Sequence, residues 1–265
     1  MAVELAYDDV GSGPVVVLLH AFPCDASMWQ RQRDSLAAAG WRVVTPDLRG
    51  FGRSPLGDDP PSVDRMAEDV HDLLRRLDVD RYVLGGLSMG GYVTMAMLRR
   101  APRPVAGVVL ADTKAAADPP AAAENRERMA AEVVAAGSAG PTLRTAVLPA
   151  LLGATTVATR PDVVERVTGY VDAAPAATVA WAQRAMAARP DSFDLLTSLT
   201  VPTLVLYGAE DALSPRADQD AMAQRLARGT LVEVPGVGHL SAVEDPDAVS
   251  RALVDFLAPL RPPYV

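Results

Sequence analysis

Short runs of β-branched and leucine side chains, bounded by turn residues, alternate with longer segments of helical period, a pattern that confines the fold to a mostly parallel sheet wound by helices. The runs are Val15–His20, Arg42–Thr45, Tyr82–Leu87, Val105–Ala111, Thr203–Tyr207 and Leu231–Val234, with Val3–Tyr7 expected as a first antiparallel edge strand. Helices are expected near Met28–Ala39, Val63–Leu77, Met89–Arg100, Arg216–Leu226 and Asp247–Leu257, with Ser62 and either Asp245 or Pro246 as start signals. The alternation stops between Thr113 and Ser198, where alanine-rich segments carry Glu, Arg and Met between recurrent prolines (Pro119, Pro120, Pro141, Pro149, Pro161, Pro175, Pro190). Each proline removes a backbone donor and ends or kinks a helix. The stretch is therefore read as several short helices forming a cap over the sheet's carboxyl edge. The expected division is an α/β core of residues 1–112 and 199–265, with the helical cap over 113–198.

With 265 residues, 49% of them hydrophobic, the chain has ample material for such a core. A formal net charge of -8 leaves no basic surface for a phosphate backbone or an anionic membrane, so neither nucleic acid nor membrane is expected as a partner. The amino end carries Glu4, Asp8 and Asp9 where a secretory leader needs cationic and then apolar residues, and the single cysteine, Cys24, fits a reducing compartment. A cytoplasmic protein is expected. No apolar run approaches the roughly 20 residues that span a bilayer.

The strongest chemical signal is Gly86-Leu87-Ser88-Met89-Gly90, placed between a strand-like run and a helix-like one. A serine at the apex of so sharp a turn needs a strained backbone. Glycines two before and two after it let strand and helix approach without Cβ clashes and push the hydroxyl outward. Ser88 is thus the candidate nucleophile. A serine hydroxyl needs an adjacent base, and among His20, His71 and His239 the last sits in a glycine-bearing loop between the final strand and the final helix. His71 reads as a solvated helix residue and His20 as a loop brace. The acid that orients the imidazole is best supplied by Asp211, after the run Thr203–Tyr207, with Glu210 and Asp112 as rivals. The chain order Ser88, Asp211, His239 is that of the nucleophile-elbow fold.

Together with these residues, the segments His20-Ala21-Phe22-Pro23, Pro46-Asp47-Leu48-Arg49-Gly50-Phe51-Gly52-Arg53-Ser54, Gly86–Gly91, Tyr207–Asp211 with Pro215, and Gly238-His239 followed by Glu244-Asp245-Pro246 resemble the α/β-hydrolase superfamily. The likeness is greatest to its small capped esterases and lactonases, including 3-oxoadipate enol-lactone hydrolases. It spans residues 1–112 and 199–260. It implies a serine hydrolase that cleaves a carboxylic ester or lactone through an acyl-enzyme, with the backbone N–H groups of Phe22 and Met89 as oxyanion donors. The same likeness also admits a cofactor-free perhydrolase or haloperoxidase, and a ligand receptor of slow turnover.

No cofactor or metal is expected: the glycines around Ser88 lack the G-x-G-x-x-G spacing of a dinucleotide site, and no histidine or carboxylate cluster has ligand spacing. The partner is expected to be a small ester or lactone. Trp29, Met129, Leu151, Leu152, Trp181, Met186 and Leu240 are the expected wall of its pocket, which on that reading suits an uncharged or weakly polar acyl group. Asp47 and Arg49 are expected to form a salt-bridged turn, and Cys24 to be a small buried hydrophobe.

Overall fold

The computed structural model describes residues 3–100 and 104–261. The outermost ends of the expected core, 1–2 and 262–265, lie outside the described residues. In chain order the first half comprises β1 (Tyr7–Val10), β2 (Val15–Leu19), α1 (Gln30–Ala38), β3 (Arg42–Pro46), α2 (Val63–Arg76), β4 (Tyr82–Leu87), α3 (Met89–Arg99) and β5 (Val105–Ala111). Seven helices follow with no strand among them: α4 (Pro120–Ala136), α5 (Gly140–Ala146), α6 (Leu148–Leu151), α7 (Ala154–Thr159), α8 (Pro161–Ala173), α9 (Ala176–Ala187) and α10 (Phe193–Ser198). The chain then closes with β6 (Thr203–Gly208), α11 (Arg216–Ala223), β7 (Gly229–Val234), α12 (Ser241–Glu244) and α13 (Pro246–Leu257).

The strands form one seven-stranded sheet in the order β1-β3-β2-β4-β5-β6-β7, parallel except for β1. The fold class is that of an α/β hydrolase, a mostly parallel sheet flanked by helices. Strands β2, β4 and β6 read as unbroken apolar runs because helices cover both faces of the sheet, leaving no solvent side to impose alternation. On α2 the buried residues Met66, Val70, Leu73 and Leu74 recur at helical spacing and make one apolar stripe. Ser62 caps this helix by accepting the Asp64 N–H at 3.2 Å. Asp245 caps α13 by accepting from Ala248 N–H at 2.9 Å, with Pro246 at the first helical position.

The edge strand differs from expectation. It is Tyr7–Val10, paired antiparallel with β3 from Tyr7↔Pro46 to Val10↔Val43, and not Val3–Tyr7. Residues 3–6 are held by other bonds: the Val3 N–H donates to Asp69, the Ala6 N–H to the Ser54 hydroxyl, and the Ala6 carbonyl accepts from Asp47 N–H. Asp47 and Arg49 do not pair with each other. Asp47 takes Arg53, whereas Arg49, fully buried, forms a two-pronged bridge to Asp69 at 2.7 and 2.8 Å. No helix among the described residues is long and apolar enough to cross a membrane.

Candidate active site

Parallel strands send their carboxyl ends to one edge of the sheet, and the candidate groups lie on loops at that edge. Ser88 follows β4 directly, with φ 54° and ψ -112°, in the left-handed half of backbone space that costs a residue with a side chain. The flanking glycines explain how the turn is tolerated. A Cβ on Gly86 would stand 2.1 Å from the Gly90 carbonyl oxygen, and one on Gly90 would stand 2.2 Å from that of Leu19. The turn is tied down by the Ser88 N–H donating to Ala111 O at 2.9 Å and by the Thr113 hydroxyl donating to Ser88 O at 2.9 Å.

Three side chains from three separate loops meet in a line. His239 Nε2 lies 2.7 Å from Ser88 Oγ, and its Nδ1 lies 2.9 Å from Asp211 Oδ2. An ionised carboxylate can only accept, so Nδ1 carries the proton and Nε2 is left to accept from the serine hydroxyl. All three groups are buried or nearly so. Burial pushes the Asp211 carboxyl up, but the attraction of the His239 imidazole in its protonated form and the bonds from His239 and Ser214 outweigh it and hold it below the usual range. Its Oδ1 also accepts from the Leu213 and Ser214 N–H groups at 2.8 and 3.1 Å. Asp211 is therefore an anion fixed in place.

The rival acids face elsewhere. Glu210 accepts from the Thr155 N–H at 2.9 Å and from its hydroxyl, across to α7. Asp112, at the end of β5, accepts from Gly208 N–H at 2.8 Å and from the Ser241 hydroxyl. Burial and then the Asp211 charge raise the Asp112 carboxyl well above its ordinary value. His20 braces a loop: its Nε2 accepts from Leu48 N–H at 2.9 Å while Nδ1 donates to Ala21 O, and burial depresses its pKa. Burial pushes the Cys24 thiol up, away from a reactive thiolate.

One residue that the sequence motifs contain, but to which they assign no role, organises the histidine loop. Glu244, buried in α12, accepts from the N–H groups of Gly238 and Leu240 at 2.9 and 3.2 Å, clasping the backbone on both sides of His239. Its other oxygen accepts from Gly153 N–H at 2.9 Å, which ties the loop to the helical segment above. The sequence signal was its place five residues after the histidine; two of its amide partners lie in that same loop, but the third, Gly153, is far away in the chain and leaves no local signature.

Phe22 and Met89 stand beside the nucleophile. Phe22 lines the cavity with Ser88 and His239, and Met89 opens α3 directly after Ser88. At a helix's first turn an N–H has no carbonyl four residues back, so the Met89 amide is free to meet an anion.

Over this line opens a cavity of about 260 Å³. Of the expected wall, Met129, Leu151 and Met186 line it. Trp29, Leu152, Trp181 and Leu240 do not: Trp29 is packed in the core, Leu152 and Leu240 are buried behind the lining, and the Trp181 indole N–H donates to Asp59 O at 2.8 Å on another side. The wall is not apolar throughout, as the expected residues alone would have made it. Lys114 and Asp118, on the loop between β5 and α4, also line it, together with Asn125 and Arg126 of α4 and Gln183 of α9, two helices that pack against each other. Asp118 is doubly paired, to Arg126 and at 2.8 Å to Arg189, and Arg126 also donates to Gln183 Oε1 at 2.9 Å. Burial raises the Asp118 carboxyl, yet the two guanidinium groups more than offset this and hold it low. The Arg189 guanidinium in turn stacks 3.9 Å from the centre of the Tyr92 ring, another lining group. Among the described residues no cluster of histidine, cysteine and carboxylate side chains has the makings of a metal site.

Residues 14–246 match the family model described as alpha/beta hydrolase fold. The chain is similar to a thermophilic esterase from Thermogutta terrifontis, solved with malate bound: 40% identity, TM-score 0.94, covering 98% of this chain and 95% of that one. It is similar also to the enol-lactonase from Burkholderia xenovorans, with 29% identity, TM-score 0.88 and 97% of each chain covered. A shorter match, 42% identical over 93 residues, joins it to a putative non-heme chloroperoxidase from Synechocystis, of which it covers 34%.

Proposed function

The chain belongs to the α/β-hydrolase fold family, and from that premise we propose that it hydrolyses a carboxylic ester or lactone through an acyl-enzyme on Ser88. The observation that carries this reading is the unbroken hydrogen-bonded line from Ser88 Oγ through the His239 imidazole to Asp211. In this reading His239 Nε2 takes the serine proton as Oγ attacks the carbonyl carbon, and Asp211 stabilises the imidazolium that results. The carbonyl oxygen becomes an oxyanion, for which the N–H groups of Phe22 and Met89 are the proposed donors. The imidazolium then returns its proton to the departing alkoxide. Water attacks the acyl-enzyme with His239 again as base, and the carboxylic acid leaves.

The esterase and the enol-lactonase support this class of bond as the target, since their likeness extends over nearly the whole chain. The short likeness to the chloroperoxidase bears on the second half of the cycle, where peroxide in place of water would yield a peracid from the same acyl-enzyme. Running the reaction with each acceptor decides between them.

The primary test is covalent. A fluorophosphonate should label the folded protein at Ser88, read by peptide mass spectrometry, and Ser88→Ala should abolish both labelling and turnover of p-nitrophenyl butyrate while leaving the melting curve intact. A label at another residue, or multiple turnover by Ser88→Ala at the wild-type rate, removes the assignment.

A further inference from the structure

All but one of the 25 basic side chains of this protein are arginine, and the exception, Lys114, lines the cavity over Ser88. Its place is built rather than incidental. Lys114 follows Thr113, whose hydroxyl donates to the carbonyl of Ser88 itself and whose own carbonyl accepts from the buried Gln219 amide at 3.0 Å. On its other side the Ala115 carbonyl accepts from Ser192 N–H at 2.9 Å. A flexible ammonium thus springs from a backbone fixed with respect to the nucleophile.

The charges around it are unequally matched. Asp118 is the cavity's carboxylate outside the hydrogen-bonded line, and it is already engaged by Arg126 and Arg189, so it has no need of a third cation. Lys114 itself makes no ion pair among the described residues. Two guanidinium groups and one ammonium therefore face one carboxylate, and this excess of positive charge sits inside a molecule whose formal net charge is -8. Asn125, with its Oδ1 accepting from Arg128, leaves its amide N–H groups available on the same wall.

We propose that Lys114 reads a carboxylate carried by the substrate, so that the preferred ester or lactone is an anion whose charge is held beside, and not at, the bond that breaks. The inference rests on the serine-hydrolase reading above and adds to it a substrate class. A compact ammonium is a point-charge donor that follows a monoanion through several positions, where a guanidinium would demand one planar approach.

The test uses two matched pairs of chromogenic esters. In one pair the carboxylate is on the acyl side, mono-p-nitrophenyl adipate against p-nitrophenyl hexanoate. In the other it is on the alcohol side, 3-carboxy-4-nitrophenyl hexanoate against p-nitrophenyl hexanoate. The wild-type protein should favour the anion in one pair, and Lys114→Met should reduce that ratio of kcat/KM about tenfold, chiefly through KM, with Lys114→Arg restoring part of it. A second measurement avoids substitution altogether. Apart from the chain's own amino terminus, Lys114 is the only amine, so acetylation, which removes its charge, should erase the preference, and reductive dimethylation, which keeps it, should not. The proposal is overturned if the wild type favours the anion in neither pair, or if the ratio is the same after Lys114→Met or acetylation. Should none of the esters turn over and Ser88 resist fluorophosphonate, the hydrolase reading falls, and this inference with it.

Discussion

At the scale of single residues, two buried aspartates close to one another are placed in opposite electrostatic conditions. Asp211 is held anionic by His239 and the Ser214 contacts, whereas Asp112, with no cation against it and with Asp211 nearby, is pushed toward the protonated form. Their asparagine variants should therefore diverge. Asp211→Asn turns the hydrogen bond to His239 Nδ1 the wrong way and selects the wrong tautomer, so kcat should fall by about 10⁴-fold. Asp112→Asn keeps an acceptor for the Gly208 N–H and asks only that the Ser241 hydroxyl turn from donor to acceptor, so it should retain most activity. If the losses are reversed, the acid has been misassigned. Asp112 also makes a pH prediction. An acid whose pKa is higher folded than unfolded binds its proton more tightly in the folded state, so its contribution to stability is full below the unfolded value and is lost as pH rises through the folded one. Wild-type stability should accordingly decline relative to Asp112→Asn from about pH 4 upward. A melting-temperature difference that stays flat from pH 4 to 8 would show that Asp112 ionises normally.

At the scale of elements, the parts legible in the sequence are those whose environment is uniform along their length. Strands β2, β4 and β6 are covered on both faces, so their apolar runs announce them, and the elbow at Ser88 is legible because the close approach of Gly86 to Gly90 lies within the motif itself, although that of Gly90 to Leu19 does not. Edge strand β1 is mostly exposed and pairs on one side alone, so its Tyr-Asp-Asp-Val carries no such pattern, and the more apolar residues before it attracted the assignment. The helices between β5 and β6 were legible as helices but not as a wall, since which face turns to the cavity depends on partners far away in the chain. Met186 and Trp181 are five residues apart on α9, yet one lines the cavity and the other donates to Asp59 O. A matched pair of variants separates the two kinds of position. Met186→Ala should reorder kcat/KM across a series of acyl lengths while fluorophosphonate labelling at Ser88 persists. Trp181→Ala should leave that order alone and instead cost about 3–5 kcal/mol of stability, read from denaturant midpoints. A reordered series in Trp181→Ala would mean that the indole shapes the cavity after all.

Across the whole molecule, the helical segment between β5 and β6 is fastened to the sheet-bearing part at several separated points. The Thr178 hydroxyl donates to Gly50 O at 2.9 Å, the Trp181 indole to Asp59 O, and the Gly153 N–H to Glu244 at 2.9 Å. Arg160 donates to Gly236 O at 2.8 Å, Arg166 donates to Ser27 O at 2.9 Å, and Ser27 and Tyr170 share a hydroxyl contact at 3.0 Å. These ties reach the loops after β2, β3 and β7 as well as α12, so the segment cannot lift as a unit without breaking bonds on opposite sides of the site. Independent opening would also strip Met129, Leu151 and Met186 from a continuous apolar core, a loss of buried area that few local units can bear. The two parts should therefore unfold together. The three tryptophans make this measurable, since Trp29 and Trp41 report on one part and Trp181 on the other. Urea titrations of a variant retaining only Trp181, and of one retaining only Trp29 and Trp41, should each show emission and far-ultraviolet dichroism changing at one shared midpoint. A Trp181 transition that precedes the dichroism change would mean that the segment melts alone. Substrate selection would then be governed by a separately mobile lid, and not by the fixed wall that these bonds describe.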